Sequence, residues 1–407
     1  MSQILEVYSV VNHSKIILNS TKPIKAIYLA SSLLGKVSLD SGWLEAPVPL
    51  ERTPSQQNEK PNWTYKQYFE TINNILSRDS YGLLLEAIQK QLAVPLVLAD
   101  LQELRIYAEK HGHFYHPAKI EVKTLKGMAR FALNAALTER GVEVMDREVR
   151  SLKHLEVNYP YHWLPKVYFL AYFGKDSKSL GIQRHRLSLF LADWLEGFHE
   201  FHLSLDPEDG IRKIILWDGN PKATYLSLKQ TGQVYEQVSL ILTHYYNPRT
   251  YEQIHPWHHG AGDFVVKINR EEIEVRLVTV RQYGALVNPD LMPVQEACLF
   301  FFLNLSIRTR LDRLDGVGDL VWAEEDCLER TWFGFLEGLK LKEKESILGS
   351  GFVHSLMDWM KALSLSDLAE RFSALLESYD LGTPDLPIIK GNIAPHILGI
   401  YNLIQRA

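Results

Sequence analysis

Apolar and polar residues alternate in short runs over residues 3–45, and this two-residue period is typical of β-strands. The clearest runs are "ILEVYSVV", "KAIYLA" and "GKVSL". Residues 45–63 are rich in Pro, Gln and Asn, which predicts an exposed loop. The next stretch, "TYKQYFETINNILSRDSYGLLLEAIQKQLA", has apolar residues at helical spacing and predicts two helices. Residues 1–100 are therefore predicted to form an N-terminal α+β module.

A different order of elements begins at Leu101. The stretch "LRIYAEKHGHFYHPAKIEVKTL" predicts a strand, a glycine-containing turn and a strand, and "ARFALNAALT" predicts a third strand. "LPKVYFLAYFG" and "HRLSLFLADWL" predict two more. Between the third and fourth strands, "GVEVMDREVRSLKHLEVN" predicts an amphipathic helix. Its apolar face carries Val142, Met145, Val149, Leu152 and Leu155. Residues 101–195 are thus predicted to form a small lobe of five antiparallel strands and one helix.

Beyond Glu196 the pattern predicts a mainly helical lobe over residues 196–407. The stretch "DFVVKINREEIEVRLVTVRQY" is interpreted as a β-hairpin. From Met292 onward the runs "VQEACLFFFLNLSIRTRL" and "GFVHSLMDWMKALSLSDLAERFSALLESY" predict several helices. The run "KLKEKES", residues 340–346, is interpreted as a solvated charged face.

Composition narrows the functional classes. The chain of 407 residues has a net charge of −5, which argues against nucleic acid as a partner. Its two cysteines, Cys298 and Cys327, are too few for a disulfide framework and are interpreted as buried free thiols. No signal-peptide pattern is visible, and no apolar run approaches the ~18 residues of a membrane span. A soluble, cytoplasmic protein without a membrane partner is expected.

A histidine-rich loop stands immediately before the predicted hairpin. "IHPWHHGAGDFVVKI" places His255, His258, His259 and Asp263 within a few residues, with glycines between them. Imidazole and carboxylate groups can move protons or bind metal ions. The sequence therefore predicts a functional site at this loop.

The order of elements over residues 101–300 resembles the protein-kinase-like fold, in the branch of aminoglycoside phosphotransferases and lipopolysaccharide kinases. The resemblance implies two lobes with a nucleotide cleft between them, and a catalytic-loop-like segment at residues 254–283. It implies ATP with Mg or Mn as cofactor, and a small molecule or a protein as substrate. The residues that it implies for the nucleotide site are Gly112, His113, Asn134, Glu148, Asp193, Glu196, Thr279 and Arg281.

In the small lobe, Gly112 and His113 stand where the family has its glycine-rich loop. "FALN" stands where the family has V-A-I-K, so Asn134 matches the phosphate-binding lysine. Lys119 or Lys123 on the preceding strand could supply the missing charge. Glu148 matches the helix glutamate that pairs with that lysine. The segment 193–197 matches the linker that faces the adenine, with Asp193 and Glu196 as its acids. The resemblance implies that Phe198–Leu203 then starts the first helix of the large lobe.

In the large lobe the family pattern is H-x-D-x-x-x-x-N followed by a hairpin. Asp263 matches the metal-binding Asn, and His258 stands in place of the catalytic Asp, so the resemblance implies catalytic roles for both. Thr279 stands in place of the metal-binding Asp of D-F-G. Arg281, two residues later, is predicted to bind an anion or to pair with Asp263.

These departures leave three functions open. Phosphoryl transfer needs a cation near the phosphates and oxygen ligands for Mg²⁺, so the chain is interpreted as a pseudokinase or an atypical phosphotransferase. The second possibility is a transition-metal enzyme, in which His199 and His202 lie on one helix face and join His258, His259 and Asp263 as ligands. The third is a non-catalytic interaction or scaffold protein. The oligomeric state stays open.

Overall fold

A computed structural model describes residues 24–32, 35–38, 41–48, 63–109, 114–173, 187–219, 222–257, 263–380 and 382–407. The protein is of the mixed α+β class, as predicted. Its largest sheet has seven strands in the order β2-β1-β3-β4-β5-β7-β6. These strands are β1 (Lys25–Ser32), β2 (Gly35–Ser38), β3 (Leu101–Ala108), β4 (His116–Thr124), β5 (Gly127–Ala136), β6 (Val167–Phe173) and β7 (Leu187–Asp193).

The sheet is larger than the five antiparallel strands that the sequence predicts for the small lobe. All five strands, β3 to β7, are present and pair antiparallel with one another. However, β1 also pairs with β3, and this pair is parallel, with Lys25 opposite Glu103. An unpaired β3 would expose a row of backbone hydrogen-bonding groups, and β1 covers that edge. This pairing joins segments far apart in the chain, so the local pattern does not reveal it.

Helices cover both faces of the sheet. They are α1 (Ser41–Leu44), α2 (Tyr65–Leu76), α3 (Arg78–Leu92) and α4 (Glu139–Asn158). Successive side chains of a strand point to opposite faces, and β7 shows this clearly. Leu189 and Leu191 bury into one core together with α2 and α3, whereas Phe190 and Ala192 bury into a second core together with α4. The predicted apolar face of α4 is confirmed, because all five of its residues are buried.

Three short strands follow the large sheet: β8 (Phe201–Leu205), β9 (Arg212–Leu216) and β10 (Thr224–Tyr225). The predicted helix over Phe198–Leu203 is therefore wrong. Phe201 and Leu203 have the two-residue spacing of a strand and are buried in the second core. Pairing with β9 satisfies the backbone hydrogen-bonding groups of β8, and the local sequence does not predict this pairing.

The predicted hairpin is confirmed as β12 (Phe264–Asn269) and β13 (Glu272–Leu277). It is bracketed by a second ladder, in which β11 (Glu252–Ile254) pairs with β14 (Tyr283–Ala285). A last pair consists of β15 (Leu311–Arg313) and β16 (Leu320–Trp322). The β11–β14 ladder holds the chain before β12 close to the chain after β13.

Helices build the remainder. They are α5 (Leu228–Tyr245), α6 (Val294–Arg308), α7 (Glu325–Lys344), α8 (Phe352–Lys361), α9 (Leu365–Glu377) and α10 (Asp385–Arg406). Helices α5 and α7 cross so closely at Gly334 that a Cβ atom there would lie 2.0 Å from the Glu236 carbonyl oxygen. Cys298 and Cys327 are buried free thiols, as predicted. Among the described residues, no helix is long and apolar enough to cross a membrane.

Candidate functional site

A cleft of about 520 Å³ lies between one face of the large sheet and the segments that flank the β12–β13 hairpin. Its volume is in the range of small-molecule sites. Strand β5, strand β7 and helix α4 supply one wall, and the residues around Asp263 and Arg281 supply the other. It brings together six of the residues singled out from the sequence, namely Asn134, Glu148, Asp193, Asp263, Thr279 and Arg281.

Glu148 connects helix α4 to the chain that follows β13. The side chain is only 2% exposed. Its carboxylate accepts hydrogen bonds from the Tyr115 hydroxyl at 2.7 Å, from the Val280 N–H at 3.1 Å and from the Thr279 hydroxyl. Burial raises the pKa of Glu148 above its ordinary value, although these hydrogen bonds oppose the shift. Glu148, for which the resemblance implies a pairing with lysine, is thus held by neutral hydrogen-bond donors.

Asp263 is fully buried and is bound by Arg281. The guanidinium donates two hydrogen bonds, one to each carboxylate oxygen, at 2.6 Å and 2.5 Å. Such a bidentate pair is among the strongest ion pairs in proteins. Burial by itself lowers the pKa of Arg281, but the bonds to Asp263 outweigh it and the pKa stays above its ordinary value. The pairing of Arg281 with Asp263 is confirmed, and both carboxylate oxygens are engaged.

The strand register places Asn134 and Lys119 on the same face of the sheet. Asn134 lies opposite Pro117, and Lys119 lies opposite Ala132, and both Pro117 and Ala132 line the cleft. The Lys119 ammonium is 3.1 Å from the Glu121 carboxylate and 4.8 Å from the centre of the Trp194 ring. Lys119 therefore stands at the linker end of the cleft, already paired.

The linker after β7 forms the outer rim. Asp193 accepts hydrogen bonds from the Tyr168 hydroxyl at 2.7 Å and from the Lys166 N–H at 3.0 Å. Glu196 is not among the described residues that line the cleft, and its carboxylate lies 3.6 Å from both Lys119 and Arg130. The two acids of the linker thus differ, because the Asp193 carboxylate is bound by Tyr168 and Lys166 at the rim, and Glu196 closes an ion-pair cluster beside it.

The metal-site alternative depends in part on His258 and His259, which lie outside the described residues. Gly112 and His113, which the resemblance implies for the nucleotide site, also lie outside them. The helix that would place His199 and His202 on one face is absent. In the extended chain, residues three apart point to opposite sides. His202 packs against Trp217, with ring centres 4.4 Å apart, and its Nδ1 is 3.6 Å from Asp312. Within the described part of the chain, no three His, Cys, Asp or Glu side chains converge on a metal position.

Several lining residues were missed by the sequence reasoning. Tyr115 reaches Glu148 from 33 positions away, so no local pattern could pair them. Trp194 lies within the linker segment 193–197 and Phe198 directly follows it, and their aromatic character was the available signal. The described lining includes five acidic residues, Glu109, Glu148, Asp193, Glu200 and Asp263, and a single basic residue, Arg281.

Comparisons with known proteins identify no relative by sequence. No family model matches the chain, and no curated protein matches it.

Proposed function

We propose that the protein is a divergent kinase-like protein of the pseudokinase type, whose cleft binds a nucleotide- or phosphate-type ligand. The observation that carries this proposal is the bidentate Asp263–Arg281 pair. Asp263 stands where the kinase resemblance implies a metal-binding side chain. Both of its carboxylate oxygens accept hydrogen bonds from the Arg281 guanidinium.

The order of elements around the cleft supports the kinase-like part of the proposal. Strands β3 to β7 lie in the order β3-β4-β5-β7-β6, and the helix between the third and fourth of them, α4, packs on the cleft face. The resemblance expects a helix glutamate and a linker at the cleft, and Glu148 and Asp193 both line it.

The side chains around Asp263 support loss of phosphoryl transfer. That reaction needs metal ions bridging the phosphates and a cation beside them. Mg²⁺ prefers oxygen ligands, but the oxygens of Asp263 are occupied by Arg281, and Thr279 offers a hydroxyl instead of a carboxylate. Asn134 carries no charge. Glu148 holds α4 in place through Tyr115, Thr279 and Val280, so the helix position no longer depends on a lysine.

The charges of the cleft narrow the ligand. Arg281 places a permanent positive charge where a metal ion would otherwise act, so binding is expected without Mg²⁺ or Mn²⁺. Acidic residues outnumber basic ones among the described residues that line the cleft, which disfavours a highly charged anion, because like charges at short range repel strongly in a partly buried site. A nucleoside or nucleoside monophosphate should therefore bind more tightly than a free triphosphate.

The test is calorimetric titration of adenosine, AMP and ATP, with Mg²⁺ and with EDTA, into the wild type and two lysine variants. Asn134→Lys restores the missing cation inside the cleft and is expected to tighten AMP binding about tenfold. Met128→Lys is the matched control, because it adds the same charge on the same strand face, about 20 Å away. AMP affinity in wild type should be equal with Mg²⁺ and with EDTA.

Three results would overturn the proposal. Transfer of phosphate from Mg-ATP would indicate an atypical phosphotransferase. Absence of nucleoside or nucleotide binding to both wild type and Asn134→Lys would favour the interaction protein. Stabilisation by zinc, iron or manganese, without any response to nucleotides, would favour the transition-metal enzyme.

A further inference from the structure

Helix α4 carries a basic stripe on the side away from Glu148. Arg147, Arg150, Ser151 and His154 recur at spacings of three and four residues, which places them along one line of the helix. Together with Gln282 and Tyr283, they line a recess of about 360 Å³. This recess is separate from the cleft, because the two share no lining residue.

A second recess of about 360 Å³ continues the first along the helix. Both are lined by His154 and Glu252, so together they form one groove, which we call the α4 groove. Arg249 contributes a third guanidinium at the far end of this groove. Its Nη2 lies 3.5 Å from the Ile347 carbonyl oxygen.

The α4 groove concentrates positive charge on a protein whose net charge is −5. Arg147 and Arg150 are exposed and make no hydrogen bond or ion pair with any described residue. Glu252 is the one carboxylate in the described lining, and it already accepts a hydrogen bond from the Thr250 hydroxyl at 2.7 Å. Arginines three positions apart on a helix repel each other, and an anion between them would remove that repulsion.

The neutral lining groups suit the same kind of ligand. Ser151, Asn247 and Ser346 offer hydroxyl and amide donors in the lining. Guanidinium groups match the oxygens of a phosphate in a forked geometry that ammonium groups lack. With two guanidiniums in one recess and a third in the other, the groove has two positions for anionic groups.

We propose that the α4 groove binds a small diphosphate-type ligand, with one phosphate at Arg147 and Arg150 and the second toward Arg249. The site stands independently of the function proposed for the cleft.

The test is calorimetric titration of inorganic pyrophosphate and of inorganic phosphate at constant ionic strength. The wild type should bind pyrophosphate more tightly than phosphate. The double variant Arg147→Gln/Arg150→Gln should weaken both at least tenfold, whereas Arg249→Gln should weaken pyrophosphate and leave phosphate nearly unchanged. Lys153→Gln is the matched control, because it removes a positive charge from an exposed position of α4 that does not line the groove.

The proposal is overturned if the wild type does not bind pyrophosphate, or if Lys153→Gln weakens it as much as the double arginine variant does. A further variant, Ala132→Phe, fills part of the cleft and leaves the groove intact. Loss of pyrophosphate binding in that variant would assign the ligand to the cleft instead and would also overturn the proposal. Retained binding in Ala132→Phe supports it.

Discussion

Two groups of buried charged side chains differ in whether they have partners. In the cleft, Asp263 is fully buried, and both of its carboxylate oxygens accept hydrogen bonds from Arg281. In the interface of α5 and α7, Lys342 is also fully buried, but its ammonium has no hydrogen-bond partner among the described residues. The Lys342 Nζ lies 5.1 Å from the centre of the Tyr159 ring.

The difference shows in the titration of these groups. Burial lowers the pKa of Lys342 to about 7, and the nearby Glu345 carboxylate only partly opposes the shift. Burial, together with the charge of Lys342, lowers the pKa of His244 to about 3. Both ring nitrogens of His244 lack hydrogen-bond partners among the described residues. A buried charge with a partner stays charged, whereas one without a partner tends to lose its charge. The cleft therefore keeps a fixed ion pair, and the α5–α7 interface contains a group that titrates near neutral pH.

The largest effect is expected from breaking the cleft pair. Arg281→Met leaves the Asp263 carboxylate buried without its counter-charge, which should lower the free energy of unfolding by about 3–5 kcal/mol. Adding Asp263→Asn removes the stranded charge and should recover more than half of that loss. Urea denaturation of both single variants and the double variant measures the coupling. A loss below about 1 kcal/mol in Arg281→Met would show that the pair is not a buried ion pair in solution.

A smaller effect of opposite sign is expected from Lys342→Met, which replaces an unpartnered buried amine with an apolar side chain of similar length. Below pH 7 the folded protein must bury a charged ammonium, so the variant should be more stable than wild type by about 1–4 kcal/mol. Between pH 7 and the ordinary lysine pKa of about 10.4, the unfolded chain binds a proton that the folded protein does not. Wild-type stability should therefore rise with pH across that window, and the advantage of the variant should shrink.

The control for Lys342→Met is Lys340→Met, since Lys340 is exposed on the same helix and pairs with Glu337. Urea denaturation at pH 6, 8 and 10 gives the comparison. An advantage of Lys342→Met that does not change with pH would contradict the titration of Lys342 near neutrality.

The sequence anticipated the cleft better than the α5–α7 interface, for physical reasons. Asp263 and Arg281 flank a hairpin whose alternating pattern is visible, and a hairpin brings its two ends together. Helix α4 was visible through its apolar period, so Glu148 could be placed on it. The contact between Glu148 and Thr279 spans 131 positions, and no local pattern carries such a distance.

Errors arose where tertiary structure overrides local pattern. The run "KLKEKES" has the composition of a solvated face, and that interpretation is wrong for Lys342, which lies fully buried against α5. Similarly, "FHEFHLS" has helical spacing in its histidines, but pairing with β9 makes it a strand. In both cases the deciding partner lies elsewhere in the chain, since charge and period along one segment do not specify what packs against it.

The smallest effect is expected at the hydroxyl that binds Glu148. Thr279→Val keeps the shape of the side chain and removes one of the three hydrogen bonds to the carboxylate, so unfolding free energy at pH 7 should fall by about 1 kcal/mol.

Because burial raises the pKa of Glu148, stability falls as pH rises from the unfolded carboxyl pKa through the folded one. Loss of a hydrogen bond that favours the charged form should steepen this fall. The variant should therefore differ less from wild type at pH 4 than at pH 7, with Thr279→Ser restoring the wild-type behaviour. Equal losses of unfolding free energy at both pH values would mean that the hydroxyl contributes packing alone. The contrast between the hydrogen-bonded cleft and the α5–α7 interface, where buried groups lack hydrogen-bond partners among the described residues, would then depend on the Asp263–Arg281 pair.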